Sequence, residues 1–349
     1  MKKILPAFLS CQGTSLSDDE KHLFEKYNPL GVCLFSRCCA NIESRHQVQN
    51  LVREIKEIVG RDDVLIAVDQ EGGRVRRLVQ SEFVPLLAQA DITTVTQARR
   101  HAYLAAHDLK SCAINVNFAP VLDVMHEKTS AVLNGRCFAG DASKVARLGR
   151  VMVDTYIKHG VCPCVKHMPG HGLATVDPHL NLPIIETPRQ QLQNEFYPFK
   201  MLHDAPMGML AHIVLTDIDA ENPATLSAPV IQQIIRDEIG FDGMLVSDAL
   251  MMNALKGSIT ERAQRSVAAG CDVVCLGNAD YAANEELCAS GIVMTDEASE
   301  RMQNVKSVIA KHDDFVKYEH VKNKYCENAK NVVAYDYCYD ATEVLNNIR

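Results

Sequence analysis

Charged and polar side chains stand where several short apolar runs of this 349-residue chain end, and the clearest cases are Asp69, Lys166, His167 and Asp248. A carboxylate can attack an electrophilic carbon or accept a proton. A lysine beside a histidine can donate hydrogen bonds to neighbouring hydroxyls, such as those of a sugar ring. Burying the lysine would cost several kcal/mol unless a negative group pairs with it. The pattern predicts a site that binds a polar ligand among paired charges.

The elements that must position these residues are eight short apolar runs that alternate with helical patterns. The runs cover residues 5–9, 31–35, 64–69, 113–119, 161–167, 208–214, 243–248 and 272–277. Because they are continuously apolar, they indicate strands that are buried on both faces, as in parallel sheets. Alternation of strand and helix about eight times predicts a fold of the α/β class, a single (β/α)8 barrel whose strand ends converge on one mouth. No glycine fingerprint for a dinucleotide follows an early strand, which argues against an open Rossmann sheet.

Four of the intervening helices have recognisable ends. Their expected first and last residues are Ser44 and Gly60, Asp141 and Gly160, Ser227 and Gly240, and Ser258 and Gly270. Serine and aspartate satisfy the first free N–H groups of a helix, and glycine ends one readily. After about residue 280 the strand rhythm stops, and 281–313 and 318–349 look helical and polar. We therefore expect the barrel over residues 1–280 and a helical C-terminal extension over 281–349 that packs on it.

Composition narrows the partners and the compartment. The net charge is −8 and no basic run is interleaved with aromatics, so nucleic acid is an unexpected partner. Thirteen cysteines lie scattered in apolar segments without zinc-finger spacing, which is typical of reduced thiols in a cytoplasmic protein. No apolar run approaches the ~20 residues of a membrane span. The N-terminal apolar stretch contains Pro6 and is shorter than the roughly 7–15 residues of a signal-peptide core. We expect a cytoplasmic monomer with no metal, cofactor, nucleic-acid or membrane partner.

Three separated motifs resemble those of glycoside hydrolase family 3. Residues 68–75 read Val-Asp-Gln-Glu-Gly-Gly-Arg-Val, residues 166–172 read Lys-His-Met-Pro-Gly-His-Gly, and residues 246–250 read Val-Ser-Asp-Ala-Leu. Within the family, the chain is most similar to the short, single-domain bacterial β-N-acetylglucosaminidases (β-N-acetylhexosaminidases) of peptidoglycan recycling. The signatures extend from about residue 30 to 280, and their order makes coincidence improbable.

The resemblance implies a mechanism. Asp248 matches the nucleophile, which forms a covalent glycosyl-enzyme that water hydrolyses with net retention. Asp177 and His179 match an Asp-x-His dyad in which the carboxylate orients the imidazole and the imidazole serves as acid and base. The implied activity is removal of terminal non-reducing GlcNAc from peptidoglycan fragments such as GlcNAc-anhydroMurNAc, with or without peptide. Pro178 stands where the family has a small polar residue, and because proline fixes φ it stiffens the loop between the two dyad residues.

The resemblance also implies a set of sugar-binding residues. Asp69 would hold hydroxyls of the non-reducing sugar, and the remaining contacts would come from Arg77, Arg136, Lys166 and His167. The motif around Arg136 is shorter and its match is weaker than the other three. The expected ligand is a small sugar substrate.

Structural roles are possible for several of these residues. Asp248 could be a helix N-cap after a strand, and His179 a surface-loop histidine. Arg77 could lie on a solvated face with its arginine neighbours. His167 and His171 have a spacing that suits a metal on a helix, but Pro169 and Gly170 between them are incompatible with that helix.

Other functions compete with the leading one. A metal-dependent amidohydrolase barrel would need a His-x-His pair at its first strand end, and this chain has none there. A non-catalytic sugar-binding barrel conflicts with the intact catalytic set. A β-glucosidase or xylosidase of the same family would usually be longer. The substrate-assisted route, in which the acetamido oxygen attacks, normally uses paired adjacent carboxylates at a strand end, and no predicted strand ends in two consecutive acidic residues.

Overall fold

The computed structural model describes residues 3–39 and 45–329, and in these residues eight parallel strands close into a barrel. The barrel strands are β1 (Leu5–Ser10), β2 (Pro29–Leu34), β3 (Leu65–Val68), β4 (Val116–Asn117), β5 (Cys162–Met168), β7 (Met207–Leu210), β9 (Met244–Ala249) and β10 (Val273–Cys275). They follow one another around the barrel in that order, and β10 pairs with β1 to close it. The predicted (β/α)8 barrel is confirmed.

Helices surround the barrel. They are α1 (Asp18–Tyr27), α2 (Ser36–Cys39), α3 (Arg45–Val59), α4 (Val95–Ser111), α5 (Ala142–Lys158), α6 (Gln193–Met201), a π-helix (Val230–Glu238), α7 (Ile259–Ala269), α8 (Tyr281–Ala289), α9 (Asp296–Ile309) and α10 (Tyr318–Ala329). Two short strands outside the barrel, β6 (Ile184–Ile185) and β8 (Val214–Leu215), pair in parallel beside its mouth-forming loops. The sequence patterns did not predict this pair, because the run at 208–214 is split between β7 and β8.

The strands are continuously apolar because each one faces two cores. In β1, Phe8 points into the barrel and packs edge-on against Phe118 with ring centroids 5.5 Å apart, while Ala7 and Leu9 face the helices. Cysteines take part in both layers as small apolar residues. The twelve cysteines within the described residues are all free thiols, and eleven of them are buried.

Most predicted helix ends are correct. Asp141 accepts hydrogen bonds from the N–H groups of Ser143 and Lys144 at the start of α5, and Ser258 forms a capping box with Glu261 at the start of α7. Ser227 accepts from the N–H of Val230, but the segment that follows is a π-helix. The predicted cap at residue 44 lies outside the described residues.

The C-terminal segment contains three helices in its described part. Helix α8 packs on β1, where Asn284 and the backbone of Ser10 exchange hydrogen bonds of 3.0 and 2.8 Å. Helix α8 follows β10 and contacts both α7 and α1, so it completes the ring of helices around the barrel. The division into a barrel over residues 1–280 and an extension over 281–349 stays a prediction. Residues 330–349 of the expected extension lie outside the described residues. No helix of the described part combines the length and the apolarity that crossing a bilayer requires.

Candidate active site

A cavity of about 390 Å³ opens among the loops that follow the barrel strands, a size typical of small-ligand sites. Seven of the eight predicted site residues line it: Asp69, Arg77, Arg136, Lys166, His167, His179 and Asp248. The eighth, Asp177, is not part of the cavity lining but is hydrogen-bonded to His179, which is. The barrel thus brings together residues that lie up to 179 positions apart in the sequence, from 69 to 248.

A buried ion network forms one wall of the cavity. The Lys166 ammonium, with 2% of its side chain exposed, donates to Asp69 Oδ1 and Glu71 Oε1, each at 2.7 Å. Arg136 donates from Nε and Nη2 to the two oxygens of Glu71, both at 2.8 Å. A two-pronged pair of this kind fixes both partners in orientation as well as in distance. Glu71 therefore holds both cations in place.

The network keeps its members charged. Burial alone would raise the pKa of Glu71, but the adjacent Arg136 and Lys166 hold it well below its usual range. Burial alone would lower the pKa of Lys166, but Asp69 and Glu71 raise it above its usual value. At neutral pH the wall therefore presents fixed positive and negative groups, which suits hydrogen bonding to sugar hydroxyls.

Arg77 joins the same wall and is not on a solvated face, because only 3% of it is exposed. Its Nη2 lies 3.6 Å from Asp69 Oδ2, and its guanidinium lies over the ring of Phe35, 5.0 Å from the centroid. Within the described structure, Nε and Nη1 of Arg77 have no hydrogen-bond partner. Buried donors of this kind are normally satisfied, so a ligand in the cavity is their natural acceptor.

Asp123 organises the segment that follows β5. Its Oδ2 accepts from His167 Nδ1 at 2.7 Å, and its Oδ1 accepts from the backbone N–H groups of His167 and His171 at 3.2 and 2.7 Å. Burial opposes the charge, yet His167 and these donors keep the pKa of Asp123 below its usual value. Asp123 therefore sets the orientation of the His167 ring at the cavity.

His171 faces the same cavity without a partner. It is 3% exposed, and neither ring nitrogen has a hydrogen-bond partner in the part of the chain that the structure describes. Burial lowers its pKa to about 4, so the ring is neutral at pH 7. Its centroid lies 5.8 Å from that of His167, but no three metal-binding side chains converge anywhere in residues 3–39 and 45–329.

Asp177 and His179 form a hydrogen-bonded pair beside the cavity. Asp177 Oδ1 accepts from His179 Nδ1 at 2.7 Å and from the His179 backbone N–H at 2.9 Å. Burial opposes the charge on Asp177, but the hydrogen bonds from His179 lower its pKa. Pro178 does not prevent this geometry, and its carbonyl accepts from the N–H of Ala254 at 3.1 Å. With Nδ1 held by a carboxylate, proton transfer to a ligand would use Nε2.

Asp248 lies near the end of β9 and lines the cavity. Its Oδ1 accepts from the N–H of Ala249 at 2.7 Å. Burial opposes its charge, but His167, His212 and the Ala249 N–H lower its pKa. No described helix begins at Asp248, since α7 starts at Ile259, so the helix N-cap role does not apply. The carboxylate is ionised at neutral pH, as a nucleophile must be.

Sequence reasoning missed two residues that position this site, Glu71 and Asp123. Both are fully buried acids that touch predicted binding residues. One signal for Glu71 was available in the sequence. The predicted sugar-binding residues include three cations, Arg77, Arg136 and Lys166, but only one carboxylate, Asp69, so a second carboxylate was needed to balance their charge. Asp123 had no such signal, since its partner lies 44 positions away.

Similarity to known proteins agrees with this site. The family description "Glycosyl hydrolase family 3 N terminal domain" matches residues 7–308. A β-hexosaminidase of Bordetella parapertussis is 34% identical over 298 residues, which is 81% of this chain and 82% of the relative. Native NagZ from Neisseria gonorrhoeae has a similar structure, with a TM-score of 0.82 and 29% identity over 94% of this chain and 98% of that one. The structure of Neisseria gonorrhoeae NagZ in complex with N-trifluoroacetyl-D-glucosamine has the same TM-score and identity, and the match covers 94% of this chain and 99% of that one.

These similarities, together with a closed parallel barrel whose cavity is lined by carboxylates and imidazoles, identify the protein as a glycoside hydrolase. The chain belongs to glycoside hydrolase family 3. Within the family its relatives are β-hexosaminidases, so the prediction of a family 3 β-N-acetylhexosaminidase is confirmed.

Replacing Glu71 tests the ion network. Glu71→Gln removes the charge that Arg136 and Lys166 share, and leaving buried cations unpaired typically costs 3–5 kcal/mol. We expect the free energy of unfolding, measured by urea titration, to fall by about that amount. Asp63→Asn is the matched control, because Asp63 also pairs with two cations but is 35% exposed. Its loss should stay below about 1 kcal/mol, and equal losses in the two variants would show that the network contributes little.

Replacing Glu195 in α6 tests a second buried carboxyl, which packs beneath the loop containing Gly170 and Gly172. Burial raises its pKa to about 7, although a 2.7 Å hydrogen bond from His126 opposes the shift. Its stabilising contribution is therefore complete below pH ~4 and lost as the pH rises through about 7. Glu195→Gln should abolish that loss, worth roughly 3 kcal/mol between pH 4 and 8. Melting temperatures across this range should show a flatter profile for Glu195→Gln, and a wild-type profile for exposed Glu300→Gln. An unchanged slope in Glu195→Gln would contradict the assignment.

Proposed function

We propose that the protein is a retaining exo-β-N-acetylglucosaminidase that uses Asp248 as nucleophile and the Asp177–His179 pair as acid and base. Asp69, Arg77, Arg136, Lys166 and His167 bind the sugar. The observation that carries the proposal is one cavity lined by both an ionised carboxylate, Asp248, and an imidazole whose Nδ1 a second carboxylate holds at 2.7 Å. A nucleophile and a proton donor on the same small cavity are what glycoside cleavage with retention requires.

In the first step, Asp248 attacks the anomeric carbon while the bond from that carbon to the leaving oxygen breaks. His179, doubly protonated, donates its Nε2 proton to the leaving oxygen and becomes neutral. Asp177 supports the cationic imidazole before transfer, because its carboxylate stays ionised against the Nδ1 proton. The products are the free aglycone alcohol and an ester between the sugar and Asp248.

In the second step, water replaces Asp248. The neutral Nε2 of His179 accepts one proton from water, the water oxygen bonds to the anomeric carbon, and the ester bond to Asp248 breaks. Both displacements invert the carbon, so the sugar keeps its original configuration. The enzyme returns to an ionised Asp248 and a protonated His179.

The proposed substrate is a terminal non-reducing GlcNAc on peptidoglycan fragments, such as GlcNAc-anhydroMurNAc with or without peptide. The support is similarity to proteins named β-hexosaminidases and to a NagZ whose structure was solved in complex with N-trifluoroacetyl-D-glucosamine. A cavity of about 390 Å³ is of a size that suits one terminal sugar. Part of the same proposal is that the enzyme acts as a cytoplasmic monomer in peptidoglycan recycling and needs no metal or other cofactor.

Turnover of a chromogenic GlcNAc β-glycoside, followed by ¹H NMR of the released sugar, tests the proposal. We expect β-GlcNAc to appear first and to mutarotate only afterwards. Release of α-GlcNAc would contradict the covalent route through Asp248. Absence of turnover, with faster turnover of glucosides or xylosides, would contradict the specificity.

Removing the nucleophile should abolish activity. Asp248→Asn keeps the size of the side chain but cannot form the ester, and kcat should fall by more than about 10³-fold. Asp280→Asn is a matched control, since Asp280 is an exposed carboxylate that caps α8 and asparagine caps a helix equally well. Initial rates on the chromogenic glycoside measure both. Residual activity above a tenth of wild type in Asp248→Asn would exclude it as the nucleophile.

Removing the acid should have an effect that depends on the leaving group. His179→Ala should slow substrates with poorly acidic aglycones by about 10²–10⁴-fold, but activated aryl glycosides much less, because these leave without a proton. The measurement is kcat/KM across a series of aryl GlcNAc glycosides of graded phenol acidity. Equal losses across the series would make His179 a binding residue and not the acid.

A further inference from the structure

A series of hydrogen bonds connects helix α10 to Glu71, the carboxylate that pairs with Lys166 and Arg136 in the ion network. Tyr325 in α10 is 1% exposed, and its hydroxyl lies 2.8 Å from Nδ1 of His101 in α4. Nε2 of His101 lies 3.0 Å from the backbone carbonyl oxygen of Glu71. The Tyr325 hydroxyl oxygen also accepts from the N–H of Leu87 at 2.9 Å. A side chain at position 325 is thus linked, through one imidazole, to the residue that holds Lys166 and Arg136.

The chemistry of the partners determines the direction of every bond. A carbonyl oxygen can only accept, so Nε2 of His101 carries a proton and donates it to Glu71. Burial lowers the pKa of His101 to about 4, so the ring is neutral and its Nδ1 is an acceptor. Nδ1 therefore accepts the Tyr325 O–H, and the hydroxyl oxygen remains free to accept from Leu87. Only one placement of the protons satisfies every donor and acceptor in this series of hydrogen bonds.

This series of hydrogen bonds holds the backbone carbonyl of Glu71, whereas Arg136 and Lys166 hold its carboxylate. The next residue, Gly72, has φ of +109° and packs so tightly that a Cβ there would lie 2.0 Å from the Leu87 carbonyl and 2.7 Å from the His101 ring. Only glycine permits this approach. Fixing the Glu71 carbonyl and the Leu87 N–H therefore fixes both strands of the loop between residues 70 and 88, and with it the position of the Glu71 carboxylate.

We propose that Tyr325 is a positioning residue of the sugar-binding site: its hydroxyl orients His101, and His101 anchors the backbone of Glu71, whose carboxylate places Lys166 and Arg136. The catalytic unit then includes helix α10, although the family 3 domain match ends at residue 308. The enzymatic part of this inference rests on the proposed function. The structural part, that Tyr325 immobilises the loop at 70–88, does not.

The test compares Tyr325→Phe with Tyr318→Phe. Tyr318 lies on the same helix, packs on the same α4 and donates to Asp108 Oδ1 at 3.3 Å. Asp108 also accepts from the Val84 N–H in the loop, but through Oδ2 at 2.9 Å, so that this bond does not need the Tyr318 hydroxyl. Tyr325→Phe leaves the Leu87 N–H and His101 Nδ1 buried without partners, and we expect KM for the chromogenic GlcNAc β-glycoside to rise about tenfold. We expect kcat to stay within about twofold, because Asp248 and His179 are carried by other elements. Tyr318→Phe should leave both constants unchanged.

Amide hydrogen exchange of residues 70–90, followed by mass spectrometry, gives a second readout that needs no activity. Tyr325→Phe should exchange faster there than wild type, and Tyr318→Phe should not. Wild-type exchange and wild-type KM in Tyr325→Phe would overturn the proposal, and so would equal effects in the two variants. If exchange rises but no GlcNAc glycoside is hydrolysed even by wild type, the positioning role stands and the proposed function fails.

The wild-type protein allows a test that does not depend on how a variant folds. In ¹⁵N-histidine-labelled enzyme, His101 should give the signals of a neutral ring protonated at Nε2, unchanged from pH 6 to 8. The signals are assigned by their loss in His101→Gln. A ring protonated at Nδ1, or one that titrates in this range, would overturn the chain of hydrogen bonds.

Discussion

The central constraint on this enzyme is the burial of four charged side chains, together with the partly exposed Asp69, at one mouth of a barrel. Lys166, Arg136 and Arg77 face Glu71 and Asp69 at hydrogen-bonding or near hydrogen-bonding distances. Each ion alone would lose several kcal/mol of hydration, so each is tolerable only while its partners stay in place. The wall is therefore ordered in the absence of a ligand, so the proposed binding of sugar hydroxyls would not first have to order these side chains.

The barrel places the proposed nucleophile and the wall of buried ion pairs on different strands. Lys166 and His167 lie in β5, Asp69 and Arg77 follow β3, and Arg136 follows β4, whereas Asp248 lies in β9 and the Asp177–His179 pair stands on the long connection after β5. This arrangement lets different forces position the two sets of groups. Ion pairing fixes the wall, while imidazoles and a backbone N–H keep Asp248 ionised. A charged carboxylate and a fixed polar wall therefore come from separate strands.

Much of this could be predicted from the sequence, because continuous apolar runs report strands buried on both faces and motif residues report chemistry. The eight strands and seven cavity residues were found in this way. Longer-range polar pairing could not be found. The bonds from Asp123 to His167 and from Tyr325 through His101 to Glu71 join residues 44 and more than 200 positions apart, and no local pattern encodes such partners. The strand pair β6 and β8 was missed because each strand has only two residues.

The proposed mechanism requires a covalent bond between Asp248 and the sugar. Incubation with an activated 5-fluoro GlcNAc glycoside, which slows the second step more than the first, should trap the intermediate. Mass spectrometry should then show the protein heavier by one fluorinated sugar, with the label on the peptide that contains Asp248. Full turnover of the reagent without any adduct, or an adduct on a different carboxylate, would contradict the account.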